Sequence, residues 1–354
     1  MPDFQHELLH HEEQLRALEP EWKALWAEDP CATPFQSPEW LLPWWRQFGG
    51  ELRTVAIRQG GRLIGLLPFY IYRDWRSGMR QCLLIGVGTT DYLDGVFAPE
   101  CSVEAVRRAL RLLCSEPEWD AITASQLRPE SKLYQALQAS TIGADGDAMA
   151  FESESCGRVP AVPIAQLPAK IRQNVRYYSR RASTQGELRM TLADEGNYLD
   201  CFDALQRMHA ERWQARGERG VFADRRMVAW HQEAMPLLLE AGMLRMQCLR
   251  LDREPIGALY AVADPAGLPN GSRIRAERKE YFYLMAHSTR HAALSPGTLV
   301  CGMAIEQAAN EGVQTIDFLR GEERYKEFWH VQHVPTYGVS LSRAAAPCGA
   351  AEAA

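Results

Sequence analysis

The chain has 354 residues, of which 46% are hydrophobic and 24% charged, and a formal net charge of -6. That balance belongs to a folded chain rather than a disordered one, and the length suits about two domains. The negative charge excludes wholesale nucleic-acid binding and leaves room for local basic patches only. No apolar window approaches the roughly 20 residues that span a bilayer. The acidic start, MPDFQHELLHHEEQ, lacks the basic and apolar regions of a secretory signal, so the expected location is the cytoplasm. Nine cysteines occur without a Cys-x-x-Cys pair, which offers the spacing of neither a zinc site nor a disulfide framework. No metal is expected, and the thiols read as reduced and mostly buried.

In chain order, a helix rich in Trp and Leu is expected at residues 38–49, then a hairpin, "LRTVAIRQGGRLIGLLPFYI", from Leu52. A short buried strand "QCLLIGVG", an amphipathic helix at 103–115 and a strand "WDAITAS" follow. Prolines 160, 163 and 168 in "CGRVPAVPIAQLP" interrupt both periodicities and place a boundary there. The order then recurs: helix 227–242, the hairpin "LRMQCLRLDREPIGALYAVA" from Leu244, strand "EYFYLMAH", helix 298–311 and strand "QTIDFLR". Without a gap, the hairpins match at Leu52 with Leu244, Arg53 with Arg245, Arg58 with Arg250, Ile64 with Ile256, Gly65 with Gly257 and Leu67 with Leu259. The expectation is an α/β (α+β) chain of two repeated domains, 1–155 and 156–343, and a loose tail, 344–354.

The second half, through "IDFLRGEERYKEFW" preceded by "SPGTL", resembles the GNAT-type acetyltransferase domains of cellulose and exopolysaccharide gene clusters (CelD-like). These are similar in turn to the tandem GNAT domains of FemAB-like peptidyltransferases. "PFQSPEW", "DYLDGVF" and "MHAERWQARGERGVF" support the resemblance, which covers most of residues 30–343. It implies two tandem GNAT-like domains, each a mixed, mostly antiparallel sheet flanked by helices. The usual acetyl-CoA signature of such proteins, Gln or Arg, two residues, Gly, one residue, Gly or Ala, is replaced here by "HAALSPGTL".

Several residues are candidates for chemistry. Ser295, Gly297, Thr298 and Leu299 open a helix whose free N–H groups and partial positive charge suit a pyrophosphate or carboxylate; an ordinary cap with proline in the first turn is the alternative. Asp317 ends a central strand, where ligands gather in open sheets, and Arg320 and Tyr325 follow as substrate contacts. The resemblance gives Lys326, beside Tyr325, the role of stabilising charge on the carbonyl under attack; the alternative is a solvated surface helix in which Arg324 and Lys326 ease the repulsion of Glu323 and Glu327. His209 and Arg212 share a helix face, one able to take a proton and the other to bind an anionic group. His287, at a strand end, is a rival base. Lys170, Arg172, Arg176, Arg180 and Arg181 form a cationic stripe suited to coenzyme A phosphates, an acidic carrier helix, a charged tRNA, a nucleotide-linked acceptor or plain solvent. Arg273, Arg275, Arg278 and Lys279 mark a long basic hairpin loop. Asp91 and Asp94 would repel phosphate, so the first half is not expected to hold a coenzyme; they face an acceptor amine or make a turn.

The combined expectation is an acyltransferase. It would move an acyl group from acyl-CoA or a carrier thioester to a small-molecule amine by direct attack in a cleft between the halves, with no DNA and no membrane span. An acyl carrier protein or an aminoacyl-tRNA would be the macromolecular partner. The alternatives are Fem-type transfer from aminoacyl-tRNA and a non-catalytic scaffold for polysaccharide assembly.

Overall fold

The computed structural model describes residues 4–138, 148–267 and 277–343. Arg273, Arg275 and the tail 344–354 lie outside the described residues. The chain forms two compact units: Met1–Leu41, Gly49–Glu154 and Pro335–Ala354 in the first, Leu42–Phe48 and Ser155–Val334 in the second.

The first unit contains β1 (Phe4–Leu9), α1 (Glu12–Ala17), α2 (Glu19–Glu28) and the start of α3 (Pro38–Phe48). Strands β2 (Glu51–Leu52), β3 (Thr54–Gln59), β4 (Arg62–Leu67), β5 (Phe69–Arg73), β6 (Arg80–Leu84) and β7 (Val96–Phe97) follow. Then come α4 (Val103–Ser115), β8 (Ala121–Leu127), α5 (Lys132–Gln138) and β9 (Ala148–Pro160), which runs on into the second unit. The second unit adds α6 (Ala169–Ser183), β10 (Leu188–Leu192), α7 (Tyr198–Gln214), α8 (Arg225–Glu240), β11 (Leu244–Leu251) and β12 (Glu254–Ala263). It continues through β13 (Lys279–His287), α9 (Pro296–Asn310), β14 (Thr315–Arg320) and α10 (Arg324–Phe328) into β15 (Gln332–Ser342).

The change of unit at Glu154/Ser155 falls inside β9, not in a proline linker. Residues 335–343, expected in the second domain, group with the first unit because β15 pairs there with β8, Val339 facing Ala124 and Leu341 facing Ile122. Backbone hydrogen bonds outweigh sequence order in deciding where this strand belongs.

The repeat is physical. In the first hairpin Ile57 pairs with Gly65 and the register slips at Arg58; in the second Leu249 pairs with Gly257 and slips at Arg250. Arg58 Nη1 donates to the Gly61 carbonyl at 2.9 Å, and Arg250 Nη1 to the Arg253 carbonyl at 3.1 Å. Arg53 and Arg245 likewise each donate to the carbonyl of the residue before them. The matched arginines therefore brace hairpin backbones.

The copies differ in their sheets. In the first unit the hairpin β3–β4 joins β1 and β7 in a four-stranded sheet, while β5, resuming after Pro68, pairs with β6 and β2. Proline has no N–H for a ladder, so the break comes there. In the second unit the order β10-β11-β12-β13-β14-β9 is unbroken, antiparallel except for the β13–β14 pair.

Helix α9 packs on this sheet through Leu299, Val300, Ala304, Ile305 and Ala308, in a core with Leu249, Leu259, Phe282, Ile316 and Phe318. Each of the buried Leu, Val, Ile and Phe side chains contributes about 1.5–3 kcal/mol. Two glycines set the spacing. A Cβ on Gly257 would stand 2.5 Å from Val300 Cγ2, and one on Gly302 would stand 2.8 Å from Val175 Cγ2 of α6. Larger residues would push the helix off the sheet or α6 off the helix.

Candidate active site

The site arises where two parallel strands part. Strand β13 pairs with β14 only over Lys279–Tyr281 against Thr315–Asp317, and then runs on to His287. Strand β14 instead bends at a bulge between Asp317 and Arg320, where Leu319 has φ 58. A branched residue rarely adopts this left-handed conformation unaided. Leu319 is held at both polar groups: its N–H donates to Asp317 Oδ1 at 2.8 Å, and its carbonyl accepts from Lys326 Nζ at 3.2 Å.

Beside this parting lies a cavity of about 280 Å³, lined by Arg212, Met285, His287, Ala292, Ser295, Pro296, Gly297, Thr298, Tyr325, Phe328 and Trp329. All eleven belong to the second unit. The wall is largely apolar, with a few polar groups, which is the usual make-up of a small-molecule site. Met285 and His287 reach it because alternate residues of a strand share a face. Tyr325, Phe328 and Trp329 reach it at the i, i+3, i+4 spacing of one helix face.

The expected candidates separate clearly. His287, Arg212, Ser295, Gly297, Thr298 and Tyr325 come together around the cavity. Burial, and after it the Arg212 guanidinium, holds His287 below the ordinary imidazole value, so the ring is neutral near pH 7. Its Nδ1 is buried without a hydrogen-bond partner. Burial pushes the Tyr325 phenol up, so it stays protonated and can donate.

At the mouth of α9, Ser295 takes a left-handed backbone, φ 47, and its Oγ lies 3.0 Å from Thr298 Oγ1. The Thr298 and Leu299 N–H groups both donate to the Ser295 carbonyl, at 3.0 and 3.2 Å. Pro296 has no N–H, which leaves the half-buried Gly297 as the donor that the turn presents to the cavity wall.

Other candidates have different work. Leu299 is 0% exposed and belongs to the core, so it corrects to a packing residue. Lys326 is 2% exposed, and its ammonium meets the carbonyls of Leu319, Arg320 and Gly321 and the Glu323 carboxylate. Its three protons are committed to the strand exit and do not point at the cavity; the expected charge stabiliser is a positioning residue. Asp317 is 0% exposed and binds Arg158 Nε at 2.8 Å besides the Leu319 N–H, so it too is structural. Arg320 closes β14, its carbonyl bonded to Lys326, and does not line the cavity.

His209 is 6% exposed and sits against Phe222 and Trp213 at ring separations of 5.1 and 5.7 Å. Burial and then Arg212 lower it to about 4, making it a weak base outside the cavity wall. Asp91 and Asp94 are buried within the first unit. Asp94 Oδ1 accepts from the Gly95 N–H at 2.7 Å, and burial raises its carboxyl to about 7. The turn alternative fits Asp94.

Sequence reasoning did not single out Met285, Ala292, Phe328 or Trp329. The alternation of Met285 with His287, and the helical spacing of Tyr325, Phe328 and Trp329, were the available signals. No group of three or more His, Cys, Asp or Glu side chains placed to hold a metal occurs among the described residues. No helix among them is long and apolar enough to cross a membrane.

The architecture is that of tandem GNAT-like domains, built of mostly antiparallel sheets flanked by helices. Residues 169–268 and 272–327 match the family model of the acetyltransferase (GNAT) domain, which covers the cavity and every residue of its wall except Phe328 and Trp329. Solved structures share the fold at low identity. FemX is 12% identical with a TM-score of 0.63, 94% of this chain and 96% of that one being covered. A conserved protein of unknown function from Bacteroides thetaiotaomicron gives 0.59 at 11% identity, covering 97% and 100%. The C-terminal domain of a putative lysylphosphatidylglycerol synthetase from Agrobacterium fabrum gives 0.56 at 12%, covering 92% of each. Comparison with curated proteins yields no match.

Proposed function

We propose that the chain is an N-acyltransferase whose reaction takes place in the cavity of the second unit. The observation that supports this most directly is the grouping of His287, its imidazole lowered by burial and its Cδ2–Nε2 edge toward Gly297, with Arg212 on the wall of one largely apolar pocket. At about 280 Å³ the cavity suits the thioester end of a donor with a short acyl group, rather than a whole coenzyme.

The amine nitrogen attacks the thioester carbonyl. The C–N bond forms, negative charge gathers on the carbonyl oxygen, and the C–S bond then breaks to release the thiol. His287 takes the proton that the amine must lose. Arg212 and the Gly297 N–H supply the positive potential that favours the charged intermediate. Met285, Phe328 and Trp329 exclude water, which strengthens those interactions and slows hydrolysis of the donor.

Release of free thiol from acetyl- and longer acyl-CoA, measured against a panel of primary amines, tests the reading. Amine-dependent release is expected, reduced at least about tenfold in His287→Ala. Transfer supported by aminoacyl-tRNA but by no thioester would put the Fem-type reading ahead. Activity with neither donor would leave a binding protein.

A further inference from the structure

Helix α6 carries Lys170, Arg172, Arg176, Arg180 and Arg181 and no acidic residue. Arg172 has local work, donating to the carbonyls of Ala165 and Leu167 at 3.1 Å. The side chains of the other four are exposed, and none meets a carboxylate among the described residues. This is unlike Arg58, Arg62, Arg80, Arg189 and Arg226, each of which has an acidic neighbour. At about 100° per residue, Lys170, Tyr177 and Arg181 fall near one line, with Arg180 and Arg176 about 80° and 120° round to one side. Tyr177, at 51% exposed, gives the cationic face an apolar centre.

The helix that carries this face packs beside the cavity wall. The Ile164 N–H, just before α6, donates to Glu306 in the second half of α9, while Val175 packs on Gly302 nearer its start. The two helices therefore run antiparallel. Five residues beyond Val175, about 7.5 Å along the axis toward the start of α9, Arg180 is turned about 140° from the side that packs on it and so faces outward. Helix α6 also packs on the short helix Ala292–Leu294, which supplies Ala292 to the cavity wall.

The turn at Ser295 offers one backbone N–H, a meagre cradle for a diphosphate, so the donor's negative charge calls for another partner. We propose that α6 is the docking face for an acidic helix of a carrier protein, which presents its thioester to the cavity. This rests on the acyl-transfer reading. The cationic face spans eleven residue steps, about 16 Å, the reach of one helix rather than of an extended phosphate track. A nucleic acid running beyond it would meet a chain with 45 acidic against 39 basic residues. Cations around an exposed tyrosine are also the composition of a protein interface.

The test is fluorescence anisotropy of a labelled, phosphopantetheine-bearing acyl carrier protein of fatty-acid synthesis, titrated with this chain. The expected result is binding that weakens at least about tenfold in the triple variant Arg176→Glu, Arg180→Glu, Arg181→Glu and falls steeply with salt. The triple Arg→Lys variant keeps most of it. Turnover of an acyl-pantetheine, which has no carrier to dock, stays within about twofold in both. Equal carrier affinity for wild type and the Glu variant, or binding of a tRNA transcript with the carrier left unbound, overturns the proposal. Anisotropy reads docking without turnover. Charge-independent carrier binding with acyl-pantetheine turnover intact therefore overturns the docking face alone, and charge-dependent docking without turnover overturns the acyl-transfer reading.

Discussion

Asp317 and Lys326 hold the same residue from opposite sides: Asp317 Oδ1 accepts the Leu319 N–H at 2.8 Å, and Lys326 Nζ donates to the Leu319 carbonyl at 3.2 Å. Between them they fix a left-handed leucine where β14 turns away from β13. The parting of these strands is what leaves room for the cavity.

Lys326 is accordingly a stability residue first. Lys326→Met leaves three carbonyls without their donor and should lower the unfolding free energy by about 2–4 kcal/mol in a urea titration. Activity per folded molecule should fall only as far as Leu319 relaxes. An unchanged unfolding midpoint with activity abolished would restore Lys326 to the chemistry.

His287 makes a prediction in pH. A base works when unprotonated, and a lowered imidazole value keeps it so to lower pH. The acid limb of kcat/KM should therefore lie below the roughly 6.5 of an ordinary histidine, with a plateau across neutrality. Arg212→Gln removes the neighbouring cation and should move that limb upward. A limb unmoved by Arg212→Gln and lost in another variant would assign the base elsewhere.

Glu280, on β13 outside the cavity wall, is 1% exposed and raised to about 8, chiefly by burial, against Arg245 and Arg278, which lower it. The native state keeps its proton while the unfolded chain, with an ordinary carboxyl, has lost it above about pH 5. Between those values the native state binds more protons, so this group makes stability fall as pH rises. Glu280→Gln should flatten that slope, giving a variant whose melting temperature exceeds the wild type's most at pH 8. A wild-type melting temperature that climbs over this range, unaltered by the substitution, would contradict it.

Much of the architecture was legible because local signals agree. Turn residues, alternating apolar positions and matched arginines all mark the hairpins, and those arginines bond the same backbone carbonyls in both copies. The cavity wall was legible in part. His287, Arg212 and Gly297, which line it, could be named from a strand end, a helix face and a turn. Lys326 and Asp317 misled because charge crowded after a buried strand looks alike whether it faces a ligand or braces a bulge. Leu299 misled because a helix start has both an open end and a buried side. The change of sheet at Pro68 and the pairing of β15 with β8 depend on partners far away in sequence, which periodicity does not report.

The central claim is that the cavity of the second unit receives the acyl donor. Ala292 is an exposed residue on its wall, so Ala292→Trp can fill the mouth at little cost to the fold. Calorimetric titration of a short acyl-pantetheine into both proteins, each first checked for the same melting temperature, tests this directly. Binding to the wild type that falls at least about tenfold in Ala292→Trp is the predicted result; equal affinity for the two proteins would contradict it.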